Sequence, residues 1–127
     1  MNIEIPNSVT KIGRLAFGKC TGLTNITIGN SVKTIEEGAF AGCISLKEVH
    51  INSLSAWCKI DFSKQDTNPL YYAEKLFLNG TEISELTIPD DITEIKKYTF
   101  YKCSNLTSLT IPNSVTNIGD AAFQNCI

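Results

Sequence analysis

The sequence predicts an α/β repeat solenoid, with parallel strands on one face and short turns elsewhere. Three observations carry that reading. Segments Ile5 to Cys20, Ile28 to Cys43, Ile88 to Cys103 and Ile111 to Cys126 are near copies of one another. The isoleucine heading each unit recurs at positions 5, 28, 51, 88 and 111, in steps of 23, 23, 37 and 23 residues. A period in the twenties marks coils that cannot bury their own apolar faces and must stack on neighbours. Finally, aligning the copies separates constant apolar slots from freely drifting ones. Val9/Val32/Ile92/Val115, Ile12/Ile35/Ile95/Ile118, Ala16/Ala39/Thr99/Ala122, Phe17/Phe40/Phe100/Phe123 and Leu23/Leu46/Leu106 stay mostly apolar and form the candidate core. Gly13, Glu36, Lys96 and Gly119 share a slot that drifts as a surface position does.

Each element of a coil follows from its residues. A coil ends in a stretch such as Leu23–Ile28, Leu46–Ile51, Ile83–Ile88 or Leu106–Ile111, whose last residues alternate in and out as a half-buried strand. Ile-Pro-Asn-Ser, Ile-Gly-Asn-Ser or Ile-Pro-Asp-Asp then turns the chain, because proline cannot extend a hydrogen-bonded ladder and Asn and Asp accept turn conformations. Val-Thr-x-Ile makes a second short extended piece. Ala-Phe-x-x-Cys predicts a single helical or 3₁₀ turn that places Ala, Phe and Cys on one side. Burying one Phe and two branched aliphatics contributes about 5–8 kcal/mol per coil. Conformational entropy offsets nearly all of it, so a single coil does not fold alone.

Leu106-Thr-Ser-Leu-Thr-Ile-Pro-Asn-Ser-Val-Thr-Asn-Ile-Gly-Asp-Ala-Ala-Phe-Gln-Asn-Cys126 closely resembles the repeat unit of the BspA-like leucine-rich repeats. The resemblance covers the chain except roughly residues 53–81. It implies a right-handed leucine-rich-repeat coil and a single domain over residues 1–127. It also implies an extracellular or cell-surface protein serving adhesion, since the family is known mainly as repetitive surface proteins of bacteria and some protists.

Between Ile51 and Ile88 the step lengthens to 37 residues, so 51–87 is an expanded, irregular coil. Ser53 is a candidate N-cap for a short helix through Ile60. Pro69 favours the first position of a second helix running to Leu76. Asn79-Gly80 between apolar residues is a strong hairpin signal. Trp57, Tyr71, Tyr72 and Phe77 gather here. They are either an aromatic platform for a sugar or peptide, with Tyr71 or Tyr72 the better candidate contact, or the larger side chains that a longer coil needs as filling.

Other chemistry is sparse. A net charge of −2 without a Lys/Arg cluster argues against nucleic acid, and no apolar run is long enough to span a bilayer. Cys20, Cys43, Cys103 and Cys126 share one slot, and Cys58 stands outside it. They are buried thiols, disulfide partners or metal ligands; neighbouring slots lie farther apart than a disulfide wants, and a lone histidine does not complete a typical zinc set. Cys58 and His50 are the pair a nucleophilic enzyme would need, yet His50 belongs to an outward strand position and Cys58 to a helix. No cofactor, metal site or catalytic residue is expected. Sequons at Asn25, Asn79 and Asn105 matter only in a secreted eukaryotic protein.

The expected binding surface is the strand face. Alternation exposes two columns, Asn25/Glu48/Glu85/Ser108 and Glu4/Thr27/His50/Thr87/Thr110. They suit hydrogen bonding to a protein or glycan, or they are a merely solvated sheet. The function read from these residues is a non-catalytic adhesion or interaction module; the alternative is a structural spacer or self-assembling array pairing through uncapped coil ends. Both ends cut through a repeat, which reads as a window on a longer array.

Overall fold

Each repeat lays down two short extended pieces, and successive copies pair coil upon coil. The computed structural model describes residues 1–126. In chain order the elements are β1 (Asn2–Glu4), β2 (Lys11–Ile12), β3 (Asn25–Ile28), β4 (Thr34–Ile35), β5 (Glu48–Ile51), α1 (Leu54–Cys58), β6 (Asp61–Phe62), a 3₁₀ turn (Gln65–Thr67), α2 (Leu70–Ala73), β7 (Leu76–Leu78), β8 (Thr81–Glu82), β9 (Glu85–Thr87), β10 (Glu94–Ile95), β11 (Ser108–Thr110) and β12 (Asn117–Ile118). Strands β1, β3, β5 and β7 run parallel in one sheet, and β8 closes its edge antiparallel. A second parallel sheet joins β2, β4 and β6, while β9 pairs with β11 and β10 with β12.

The register is that of the repeat: Ile3 faces Ile26 and Ile26 faces Val49, while Glu4, Thr27 and His50 line up beside them. Inward residues Ile26, Ile28, Val49 and Ile51 are buried, and the residues between them are half-exposed. Phenylalanines stack from one coil to the next, Phe17 on Phe40 at 5.5 Å and Phe100 on Phe123 at 5.4 Å. Two slots depart from the expected core. Ala16 is exposed and Ile118 half-exposed, because each lies on a coil covered from one side only.

The Ala-Phe-x-x-Cys stretch is not helical. It is a run of turns in which alternate amides bond in different directions. The amides of Ala16, Gly18 and Cys20 donate back within the coil to Gly13, Leu15 and Phe17. Those of Leu15, Phe17 and Lys19 donate instead to Glu37, Ala39 and Ala41 of the next coil, at 3.3, 2.7 and 2.6 Å. This geometry needs left-handed backbone at two sites per coil, met by Leu15 and Lys19, Gly38 and Gly42, Tyr98 and Lys102, and Ala121 and Asn125. A helix would keep all these amides within the coil and leave the neighbouring coil's carbonyls without partners.

The expanded coil follows its signals with adjustments: α1 stops at Cys58 short of Ile60, and α2 stops at Ala73, where Glu74 takes a left-handed cap, so that Leu76 opens β7 instead of closing the helix. Ser53 caps α1, its hydroxyl accepting from the Ala56 amide at 3.1 Å. Pro69 precedes α2 instead of opening it, and the Asn68 carboxamide oxygen accepts from the Leu70 amide at 2.8 Å. Asn79 and Gly80 take the left-handed conformations of a tight hairpin, φ 50 and 87, joining β7 to β8. Since β7 pairs with β5, the strand ladder ends in that hairpin and restarts at β9.

Gly29 stands where the other copies carry Pro6, Pro89 and Pro112. A Cβ there would lie 2.6 Å from the Ile5 carbonyl oxygen and 2.7 Å from that of Pro6, both backbone atoms of the coil below. Gly29→Ala is expected to destabilise the fold by about 1–3 kcal/mol through overpacking. Urea unfolding checks this, and an unchanged midpoint would show that the two coils separate freely.

Candidate functional site

Strand pairing brings half of the expected surface together and separates the rest. Asn25 and Thr27 on β3 lie in register with Glu48 and His50 on β5. Glu85 and Thr87 on β9 pair with Ser108 and Thr110 on β11. The two expected columns are therefore not continuous. Phe77 of β7, and not Thr87, occupies the register position beside His50, because the hairpin inserts a strand where the regular spacing has none.

That insertion changes the chemistry of the face. The imidazole of His50 stacks on the Phe77 ring at 4.6 Å and 17°. Its Nε2 lies 2.7 Å from Glu48 Oε2, donating to the carboxylate. The central patch is thus an aromatic pair with one acidic arm, flanked by Thr27 and Asn25. The sequence places Phe77 in the hairpin and in the aromatic gathering; its register with His50 depends on the length of the irregular coil, which no repeat template supplies.

The aromatic gathering divides in two. Trp57 is 1% exposed, 5.3 Å from Phe62, and its indole N–H donates to the Thr99 carbonyl at 2.9 Å. It is core filling that ties coils together, not a platform. Tyr72 packs against the core, and its hydroxyl accepts from the Gly42 amide at 3.2 Å. Tyr71 is half-exposed, edge-on to Tyr72 at 4.9 Å and stacked with Tyr101 at 6.3 Å, with the Lys102 ammonium 4.8 Å over its ring. Of the two candidate contacts, Tyr71 is the one partly presented to solvent without a backbone partner for its hydroxyl.

Sequence reasoning missed a groove of about 850 Å³ on the other sheet, bounded by Thr34, Asp61, Phe62, Glu94, Lys96 and Asn117 among others. Its residues lie in the second extended piece of four coils, a stretch read only as scaffold. Charges around it are mostly exposed. The Lys64 ammonium, 2.8 Å away, holds the Glu37 carboxyl below its ordinary range. Nearby, the Ser55 hydroxyl at 2.6 Å and then Lys59 at 3.2 Å do the same for Asp91.

All five cysteines are free. Cys43 and Cys126 thiols donate to the Phe17 and Phe100 carbonyls of the preceding coil, at 3.1 and 3.0 Å. The slot is therefore a small apolar side chain that also satisfies a carbonyl across the coil interface. Burial, with Asp91 nearby, pushes the Cys58 thiol up to about 12. Burial does the same to Cys103, again to about 12, with Cys126 adding to it. Neither sulfur is a thiolate at neutral pH, so Cys58 is not an activated nucleophile. The partners of His50 are Glu48 and Phe77. Among the described residues, no group of three or more His, Cys, Asp or Glu side chains is placed to hold a metal ion.

The BspA type leucine rich repeat region matches residues 1–127 in six copies. The chain belongs to that family. This BspA-type chain is also similar to two solved structures. One is a leucine rich cell surface protein of Faecalibacterium prausnitzii, 26% identical, with a TM-score of 0.45 over 99% of this chain and 36% of that one. The other is a leucine-rich repeat protein of Bacteroides ovatus, 28% identical, with a TM-score of 0.47 over 99% of this chain and 29% of that one. The chain thus spans about a third of the length of each. No protein of curated function matches it.

The thiols of this BspA-type chain give a pH test. Their folded pKa values are raised, so their contribution to stability is full below the unfolded thiol value, about 8.5, and is lost as pH climbs toward about 12. Urea midpoints are expected to fall between about pH 9 and pH 11.5, and to fall less in a Cys58→Ala/Cys103→Ala variant. Equal slopes in the two proteins would contradict the burial argument.

Proposed function

We propose that this chain is a non-catalytic interaction segment of a cell-surface protein, attaching through its main strand face to a protein or glycan on another surface. The family supports a binding role in general terms, since leucine-rich repeat proteins are generally binding modules. The observation that carries the reading is the His50–Phe77 stack beside Glu48. Binding energy concentrates on a few anchors, with aromatic side chains prominent among them. Here a rigid aromatic pair stands among small polar residues that can hydrogen-bond around it. No helix among the described residues is long and apolar enough to cross a membrane.

Glycan and matrix-protein arrays test this reading. Binding is expected with the native chain and is expected to weaken by about 2 kcal/mol or more in His50→Ala/Phe77→Ala, the size of a hot-spot loss. Blank arrays, or equal binding by the double variant, would overturn it.

A further inference from the structure

The second sheet is broken between the third and fourth coils, and the break has the form of a missing strand. At the other junctions of this face, backbone amides reach the coil before: Lys33 donates to Thr10, Asp61 to Lys33 and Thr116 to Thr93, each at 2.9 Å. Among the described residues, no backbone hydrogen bond joins residues 59–63 to residues 92–97. Side chains cross instead: Lys96 Nζ donates to the Lys59 carbonyl at 3.2 Å and to Asp61 at 2.7 Å, and Lys59 Nζ donates to Asp91 at 3.2 Å. The edges of β6 and β10 both border the groove of about 850 Å³. Unpaired strand edges are templates for a further strand.

The charge of the groove selects the occupant. Five carboxylates and two lysines border it. Asp61 is engaged by Lys96, Glu37 by Lys64 and Glu36 by Lys11, while two carboxylates, Glu94 and Asp120, and one lysine, Lys97, are exposed and form no ion pair among the described residues, which leaves the border negative. We propose that the gap between β6 and β10 is a docking site for a basic peptide segment, which enters extended and lays its backbone along the two strand edges. Main-chain hydrogen bonds hold the segment and its lysine or arginine side chains meet Glu94 and Asp120. This surface is separate from the His50–Phe77 face, so the two readings succeed or fail independently.

The probe is a fluorescein-labelled peptide of roughly eight residues alternating lysine with valine, followed by polarisation. The lysine peptide is expected to bind, and to weaken about tenfold when alternate backbone nitrogens are methylated, since strand addition needs those N–H groups. Replacing its lysines by glutamates is expected to abolish binding. The Glu94→Lys/Asp120→Lys variant is expected to bind about tenfold more weakly with an unchanged thermal midpoint, because both residues are exposed. His50→Ala/Phe77→Ala is expected to bind the peptide as the native chain does. No binding by the lysine peptide, undiminished binding by the methylated one, or full binding by the charge-reversed variant would each overturn the proposal.

Discussion

Every coil of this chain leaves backbone donors and acceptors on both of its flat sides, and a neighbouring coil one layer away is what takes them. The turn strip states the constraint most clearly. Leu15, Lys19, Tyr98, Lys102 and Ala121 adopt left-handed backbone, which costs about 1–2 kcal/mol for a residue with a Cβ. A buried polar group left without a partner costs about 1–3 kcal/mol, and the strips of the first and fourth coils each place three amides on three carbonyls of the next coil. The hydrogen bonds outweigh the strain. The 23-residue step is kept for the same reason, since a one-residue slip turns every inward isoleucine outward.

The expanded coil cannot offer a matching backbone, so its side chains replace it. The Tyr72 hydroxyl accepts the Gly42 amide that would otherwise reach a strip carbonyl. Asn68 and Trp57 donate to the Tyr98 and Thr99 carbonyls of the coil after. Asn68 and Trp57 are buried and specific in direction, which explains an asparagine and the chain's single tryptophan in this segment. Tyr71 and Tyr72 differ through the same requirement: one is drawn into the junction and the other is left beside Lys102.

Much of this was legible in the residues. The isoleucine, leucine and phenylalanine slots, the parallel strands, the Ser53 cap and the Asn79-Gly80 hairpin all follow from spacing or from turn chemistry, because these signals are local or repeat. The left-handed strip was hidden, since only Gly38 and Gly42 advertise it and the other coils meet it with Leu, Lys, Tyr, Ala and Asn. Half of the candidate face was legible. Asn25, Thr27, Glu48 and His50 lie in regular coils and share one register; Thr87 and Thr110 lie beyond the hairpin, where counting from repeats no longer fixes position. The role of Trp57 was undecidable from pattern alone, because a core filler and a platform use the same residue.

The junction of the third and fourth coils distributes its energy unevenly. On its inner side stand buried groups, Trp57 against Phe62 and hydrogen-bonded to Thr99, with Asn68 donating to the Tyr98 and Thr99 carbonyls. On its outer side the bridges from Lys96 to Asp61 and from Lys59 to Asp91 are partly or fully exposed, and exposed ion pairs contribute about 0–1 kcal/mol. The layers are therefore clamped from within, while the groove lip is held by contacts that exchange readily with water. A strand edge beneath such a lip keeps hydrogen-bonding capacity that the stable part of the junction does not consume. In an array whose coils otherwise satisfy one another, chemistry directed outward concentrates where the repeat is interrupted.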